Sequence, residues 1–254
     1  MDDAELARLE HDNMRDWLRI AFAQVPGALI ESTPGLGIYA TGLPIGLFNQ
    51  VVTDDGATAA ELTTAIERLR ERGAPFYPVL RRGQDDRLRS VVEDLGLPLD
   101  DETLPGMALH PIPAHLVTTA DGLEIRVVDD AAALRDHVMA AAAGFGMPEE
   151  VVSRFIGEEL WARPGATAYV AYAGGEPVST GFSIRTGRTI GVYTIATAPH
   201  ARGRGFGAAM TGRVVADGAA AGCDVAILQA STMGRPIYER MGFRLVQDYN
   251  VYLG

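Results

Sequence analysis

Along residues 123–253 the apolar positions switch repeatedly between the period of a strand and the period of a helix. Leu123 to Val128 alternates apolar and polar side chains, as a half-buried strand does, and Asp129 or Asp130 then stands where a cap is expected before an alanine-rich helix running through about Ala142. After the breaker Gly144-Phe145-Gly146, Pro148 suits a first helical turn and Glu149 and Glu150 favour a helix N-terminus, so a second helix is predicted as far as Trp161. Thr167 to Ala173, Val178 to Ile184 and Thr189 to Thr197 read as an antiparallel meander turning at Gly174-Gly175 and at Gly187. A long helix, Phe206 to Ala221, ends at Gly222, which suits the left-handed residue after a helix. Asp224 to Gln229 is a short buried strand, a helix from about Arg235 to Met241 stops at Gly242, and Phe243 to Leu253 closes as one or two strands. The predicted order is β-α-α-β-β-β-α-β-α-β.

The first half shows a shorter version of the same succession. Gly37 to Ala40 and Leu47 to Val52 read as strands and Ala59 to Arg72 as a helix followed by Gly73. Strand Phe76 to Leu80, helix Asp85 to Leu95, Gly96-Leu97 and a closing segment Gly106 to His110 then parallel the strand, helix, Gly242-Phe243 and strand of residues 224–253. Between the halves Leu109 to Ala114 reads LHPIPA, an extended connector, because proline restricts itself and its predecessor. The expected boundary falls near residues 115–120.

Charge separates the halves too. Residues 1–115 carry 19 acidic side chains against 10 arginines, a net −9, and residues 116–254 carry 14 against 12, a net −2. The overall −11 disfavours nucleic acid as a partner. At 254 residues and a mean hydropathy near zero, the chain suits one large or two modest globular domains, and no apolar run approaches the roughly 20 residues that span a bilayer. With Asp2, Asp3 and Glu5 at the start there is no basic leader region, and Cys223, the single cysteine, reads as a buried structural thiol, so the expectation is a cytoplasmic protein without a membrane partner. The five histidines are scattered without metal-ligand spacing, and no metal is expected.

The run Arg202-Gly203-Arg204-Gly205-Phe206-Gly207 lies between a strand and a helix, where glycines let successive N–H groups converge on an anion. A Walker loop is excluded, since the chain contains no lysine. A Rossmann loop is a poor fit, because Gly203, Gly205 and Gly207 have the wrong spacing and the next strand ends in Gln229 rather than an acid. From this stretch alone, a phosphate cradle and a surface loop whose glycines serve only turning both stay open.

Over roughly residues 122–254 the order and the motifs resemble the GCN5-related N-acetyltransferase (GNAT) superfamily. Arg202-x-x-Gly205-x-Gly207 after the fourth strand matches its Arg/Gln-x-x-Gly-x-Gly/Ala loop, and Ile237-Tyr238-Glu239-Arg240-Met241-Gly242-Phe243 matches its later helix-to-strand signature, with the strand Ala226 to Ser231 between them. The resemblance implies a mixed α/β acyl-CoA N-acyltransferase fold, in tandem with a degenerate first copy: residues 1–115 without a coenzyme A loop, and a catalytic domain over residues 120–254. Between Val52 and Ala59 the first copy reads TDDGAT, acidic where the second is rich in Arg and Gly, and Asp54 or Asp55 reads as a solvated turn or cap.

The co-substrate implied is acetyl coenzyme A. Its pyrophosphate is expected on the backbone of Arg202, Gly203, Arg204, Gly205, Phe206, Gly207 and Ala208, its pantetheine arm alongside Ile195, Ala196 and Thr197, and Tyr238 is expected to protonate the departing thiolate. The implied reaction is direct attack by a neutral primary amine of a small molecule or peptide; the alternative is a non-catalytic acyl-CoA-binding or regulatory module. That alternative draws on one departure from the family pattern: Ile190 to Thr197 contains no carboxylate to serve as base. Glu149, Glu150, Glu158 and Glu159 read better as a solvated helical face, and His200 neighbours the phosphate loop rather than the amine. Phe145, Met147 and Phe155 are candidates for an apolar part of the acceptor pocket near the first two helices, although each is better explained as an ordinary core contact. A homodimer is compatible with the sequence.

Overall fold

The computed structural model describes residues 1–116 and 118–254, apart from the side chain of Glu158. Its first half runs α1 (Asp3–Phe22), β1 (Leu29–Ser32), β2 (Leu36–Ala40), β3 (Asn49–Thr53), α2 (Ala59–Glu71), β4 (Tyr77–Arg81), α3 (Arg89–Asp94) and β5 (Leu104–Leu109). The second runs β6 (Leu123–Val127), α4 (Ala131–Phe145), α5 (Glu149–Phe155), α6 (Glu158–Trp161), β7 (Ala166–Ala173), β8 (Glu176–Thr186), β9 (Thr189–Thr197), α7 (Phe206–Ala220), β10 (Val225–Gln229), α8 (Arg235–Arg240) and β11 (Arg244–Val251).

All eleven strands form one sheet in the order β1-β2-β3-β4-β11-β5-β10-β9-β8-β7-β6. Among the described residues only β3–β4 and β9–β10 pair in parallel. The order repeats about its centre: β4 corresponds to β10, β3 to β9, β2 to β8 and β1 to β7, while β6 is extra. The last strand of each half is exchanged. Strand β5 lies against β10, β11 lies against β4, and the exchanged strands pair with each other antiparallel.

Side chains alternate across this sheet with the strand period of two. Tyr39, Val52, Val79, Ala108 and Ile227 face α1, α4 and α5, whereas their neighbours Ile38, Val51 and Leu80 face α2, and Met107, Leu109, Ala226 and Leu228 face α7 and α8. Helix α1 therefore shares one face with the helices of the second half.

The structure departs from the sequence expectation in several places. Helix α1 and strand β1 were not foreseen. The helix expected from Pro148 to Trp161 breaks between Phe155 and Glu158, where Ile156 leaves helical geometry (φ −118°, ψ 77°) and Gly157 follows. Leu47 and Phe48 belong to a 3-10 turn, so β3 starts at Asn49, and the helix expected over Asp85 to Leu95 begins as a 3-10 turn at Asp86–Leu88 before α3.

The buried face of α1 is unusual in carrying Glu10, His11 and Asn13. Glu10 accepts hydrogen bonds from Gln229 Nε2 (2.5 Å) and Tyr249 Oη (2.6 Å), and the absence of a side chain at Gly106 makes room for its carboxyl. Asn13 accepts a bond from Tyr193 Oη (2.6 Å) over Gly191 in the same way. Burial lifts the Glu10 carboxyl from 4.5 to about 7, against the two hydrogen bonds, which favour its charged form. The folded chain thus holds this proton more tightly than the unfolded chain. The associated stability is complete below pH 4.5 and is lost as the pH rises through about 7. Glu10→Gln is expected to stabilise the fold at pH 8, by on the order of 3 kcal/mol, and to change it little at pH 4. Melting temperatures at the two pH values check this, and an equal shift at both would contradict it.

Candidate active site

The parallel ladder between β9 and β10 is short. It joins Thr189 to Val225, Ile190 to Ala226 and Gly191 to Ile227, and ends there. Two residues further along, β9 bulges: between the pairs Phe182–Tyr193 and Thr180–Ala196, Gly181 of β8 faces both Thr194 and Ile195. Thr194 takes φ +47°, the one positive φ outside glycine among the described residues. The bulge turns β9 from β10, so Ile195, Ala196 and Thr197 keep β8 on one side and have no strand on the other. Their free main-chain edge is the kind that an extended ligand can pair with.

That edge leads directly into the glycine-rich loop. Gly203 (φ +78°) and Gly205 (φ +80°) are left-handed, and nothing lies within 4 Å of where a Cβ would sit on either. Gly205 is the cap residue of α7 and offers no side chain, so the first-turn N–H groups of Phe206, Gly207 and Ala208 are left uncapped. An open space facing uncapped amides at the start of a 15-residue helix fits a pyrophosphate. The side chains around it mostly brace the loop. Arg202 donates to Thr197 O (3.1 Å) and Gly144 O (2.8 Å), the Arg204 guanidinium stacks 4.5 Å over the ring of Phe206, and Phe206 itself is buried.

On the same face, α8 presents Tyr238, whose ring meets Phe243 edge-on at 6.0 Å beside the α7 residues Met210 and Val214. Burial pushes its hydroxyl up to about 12, against a smaller opposing effect of the Thr211 hydroxyl on α7. Tyr238 therefore keeps its proton at neutral pH. Cys223, just before β10, is also buried, and burial pushes its thiol up, away from the thiolate a nucleophile needs.

Beyond the bulge, on the opposite face of the sheet, a cleft of about 180 Å³ opens at the junction of the two halves. Phe145, Met147 and Phe155 come together in it, with Thr194 of β9. Trp17, Leu18 and Phe22 of α1 and Leu47, Phe48 and Gln50 of the first half complete the lining, and none of these ten residues is an acid or a histidine. Four larger hollows exist, about 300 Å³ beside Leu36 and Arg68, 330 Å³ beside Asp16 and Arg163, 280 Å³ beside His11 and Arg81 and 580 Å³ beside Met139 and Ser153, but none is lined by β9 or by the glycine-rich loop. Glu149, Glu150 and Glu159 are exposed, Glu150 pairs with Arg154 at 3.1 Å, and His200 is exposed in the 3-10 turn Pro199–Ala201; Glu158's side chain lies outside the described residues.

At the corresponding end of the β3–β4 pair in the first half lies a hollow of about 280 Å³ lined by charge, with Asp54, Asp55 and Arg81 in its wall. Arg81 donates to both carboxylate oxygens of Asp85 (2.8 and 3.0 Å) and to Asp55 (2.9 Å), and Thr53 Oγ1 donates to Asp85 (2.7 Å). Burial alone would raise the Asp85 carboxyl, but Arg81 and Thr53 outweigh it and hold the group below the usual carboxylate range. Asp55 is exposed in the turn, whereas Asp54 is no cap and is only partly exposed: it pairs with Arg15 and approaches Arg81 (3.6 Å). The cap of α2 is Thr58, in a reciprocal box with Glu61. Among the described residues no group of three or more His, Cys, Asp or Glu side chains is arranged to hold a metal ion.

Residues 164–245, which contain the bulged strand, the glycine-rich loop and Tyr238, match the model of the acetyltransferase (GNAT) domain family. Over these residues the chain is similar to the acetyltransferase (GNAT) domain. The complete fold is similar to that of a GCN5-related N-acetyltransferase from Kribbella flavida, at 17% identity and a TM-score of 0.70 over 97% of this chain and 94% of that one. It is similar also to a GCN5-related N-acetyltransferase from Sphaerobacter thermophilus (16%, TM-score 0.66, 96% and 84%). A tandem GNAT protein from the clavulanic acid biosynthesis pathway superposes over 100% of this chain and 95% of its own (11%, TM-score 0.64). At these identities the likeness is one of fold, and the fold is a tandem GNAT fold. No curated protein matches the sequence. Acyl-CoA-dependent acetyl transfer is the general activity that the GNAT domain and fold support. No helix among the described residues is long and apolar enough to cross a membrane.

Proposed function

We propose that the chain is an acetyl-CoA-dependent N-acetyltransferase acting on a primary amine of a small molecule or peptide, with one donor site, in the second half. The observation that carries this is the continuity of the free β9 edge with the uncapped start of α7. Together they make a single track from an anion cradle to the junction cleft.

The backbone amides from Arg202 to Ala208 would hold the pyrophosphate, and the main chain of Ile195, Ala196 and Thr197 the pantetheine arm. Bound acetyl coenzyme A supplies an activated acetyl group: the amine nitrogen bonds to the thioester carbon, the C–S bond breaks, the nitrogen gives up one proton and the sulfur takes one, leaving an acetamide and free thiol. Tyr238 holds a proton at Oη for that sulfur, its high pKa keeping the proton in place until charge develops. The first half, whose corresponding hollow carries the carboxylates of Asp54 and Asp55 where a pyrophosphate would be repelled, binds no coenzyme A and forms one wall of the acceptor cleft.

The second reading, a non-catalytic acyl-CoA-binding module, draws on the absence of any acid or histidine from the cleft lining. Free-thiol release from acetyl coenzyme A across a broad amine panel separates the two. Amine-dependent release supports the enzyme, and tight binding without release supports the module.

A further inference from the structure

The junction cleft has a composition that selects among amines. Its inner wall is aromatic, with Trp17 and Phe48 from the first half against Phe155 from the second, and Leu47 and Phe145 stand half-exposed at its mouth. Two polar side chains, Thr194 and Gln50, belong to this lining. Thr194 Oγ1 is buried and makes no hydrogen bond, although the Thr194 carbonyl is satisfied by Thr180 Oγ1 at 2.9 Å. Gln50 donates through Nε2 to Leu47 O (2.7 Å), and among the described residues its Oε1 has no protein partner.

A buried hydroxyl without a partner carries a desolvation penalty, and a β-branched residue at positive φ carries strain. Both fall on Thr194, the residue where the donor strand meets the cleft. Groups in this condition are characteristic of places that a ligand completes.

We infer that the cleft takes the acceptor as a primary amine on an uncharged, apolar body about the size of an aromatic ring, with its nitrogen held between the Thr194 hydroxyl and Gln50 Oε1. The inference rests on the proposed acetyltransferase activity. The volume, about 180 Å³, is close to that of the ~150 Å³ apolar cavity known to take benzene. A second ammonium group would find no carboxylate on the lining, and the hydroxyls of a sugar would be buried unpaired, a mismatch that costs far more than a missing methylene. The apolar lining also favours the amine in its neutral, nucleophilic form, since burial without a counter-charge disfavours the ammonium.

The test is thiol release by the full chain at saturating acetyl coenzyme A with four probes: 2-phenylethylamine, isopentylamine, spermidine and glucosamine. The expected kcat/KM for the first two exceeds that for the last two by about 100-fold. The reverse order overturns the inference and leaves the acetyltransferase reading intact; no release with any amine, while acetyl coenzyme A still binds, overturns both. Thr194→Val is expected to raise KM for 2-phenylethylamine about tenfold, with Thr194→Ser restoring it. Leu47→Glu, at the exposed mouth and so without a folding penalty, is expected to lower kcat/KM for 2-phenylethylamine about tenfold, raise it for spermidine and leave acetyl-CoA affinity unchanged. Unchanged selectivity in Leu47→Glu overturns the placement of the acceptor.

Discussion

Gly205→Glu is expected to weaken acetyl coenzyme A binding by about 100-fold or more while leaving the chain folded. Gly205 sits at φ +80° with open space above it, so the substitution meets no neighbouring atom and acts in two other ways. It forces an L-residue into the left-handed region, at a cost of roughly 1–2 kcal/mol, and it places a carboxylate over the uncapped amides of Phe206, Gly207 and Ala208, where the pyrophosphate belongs. Gly205→Ala separates the two. It carries the strain without the charge, and its expected loss of affinity is tenfold or less. Thermal stabilisation by acetyl coenzyme A reads both variants: abolished in the glutamate form, reduced in the alanine form. Full stabilisation of Gly205→Glu would move the donor site away from α7.

Tyr238→Phe is expected to lower kcat by about 100-fold without changing acetyl-CoA affinity. The substitution removes one oxygen and keeps the ring that packs on Phe243, so the local fold has little reason to change. The effect is placed at the lower end of the range for general acid catalysis because the phenol, pushed up to about 12, is a weak acid toward a thiolate. The same value fixes the pH profile. A group that must be protonated to act loses function only as the pH rises through its pKa, so Tyr238 contributes no falling limb below about pH 10. A falling limb near pH 8 that disappears in Tyr238→Phe would contradict the environment described for it, and an unchanged kcat would remove Tyr238 from the chemistry.

The second half was legible because its landmarks are backbone requirements. Gly203 and Gly205 occupy conformations that other residues avoid, Gly222 and Gly242 end helices at positive φ, and the apolar run Val225 to Leu228 allows little but a buried strand. Helix α1 was hidden for the opposite reason. Leu6, Met14, Trp17, Leu18 and Ala21 recur at helical spacing behind the Asp2 cap, but Glu10, His11 and Asn13 interrupt the buried stripe, and only the tertiary structure supplies Tyr249, Gln229 and Tyr193 as their partners. The exchange of β5 and β11 was unreadable, since each strand has an acceptable pattern beside either neighbour and the choice is made by distant pairing. The acceptor cleft was half visible. Phe145, Met147 and Phe155 were candidates from their place near the second half's first two helices, whereas Trp17 reaches the cleft only because α1 crosses onto the shared face, bringing Phe48 and Gln50 of the first half with it. Asp54 illustrates the converse: its position suggests an exposed turn, yet Arg15 from α1 and Arg81 from β4 converge on it.

The division of labour between the halves, one glycine-rich cradle and one acidic hollow, is tested most directly by calorimetric titration of the intact chain with acetyl coenzyme A. One site per chain is predicted, unaffected by Asp55→Asn in the acidic hollow and lost in Gly205→Glu. Two sites per chain, or a single site that survives Gly205→Glu, would contradict the account.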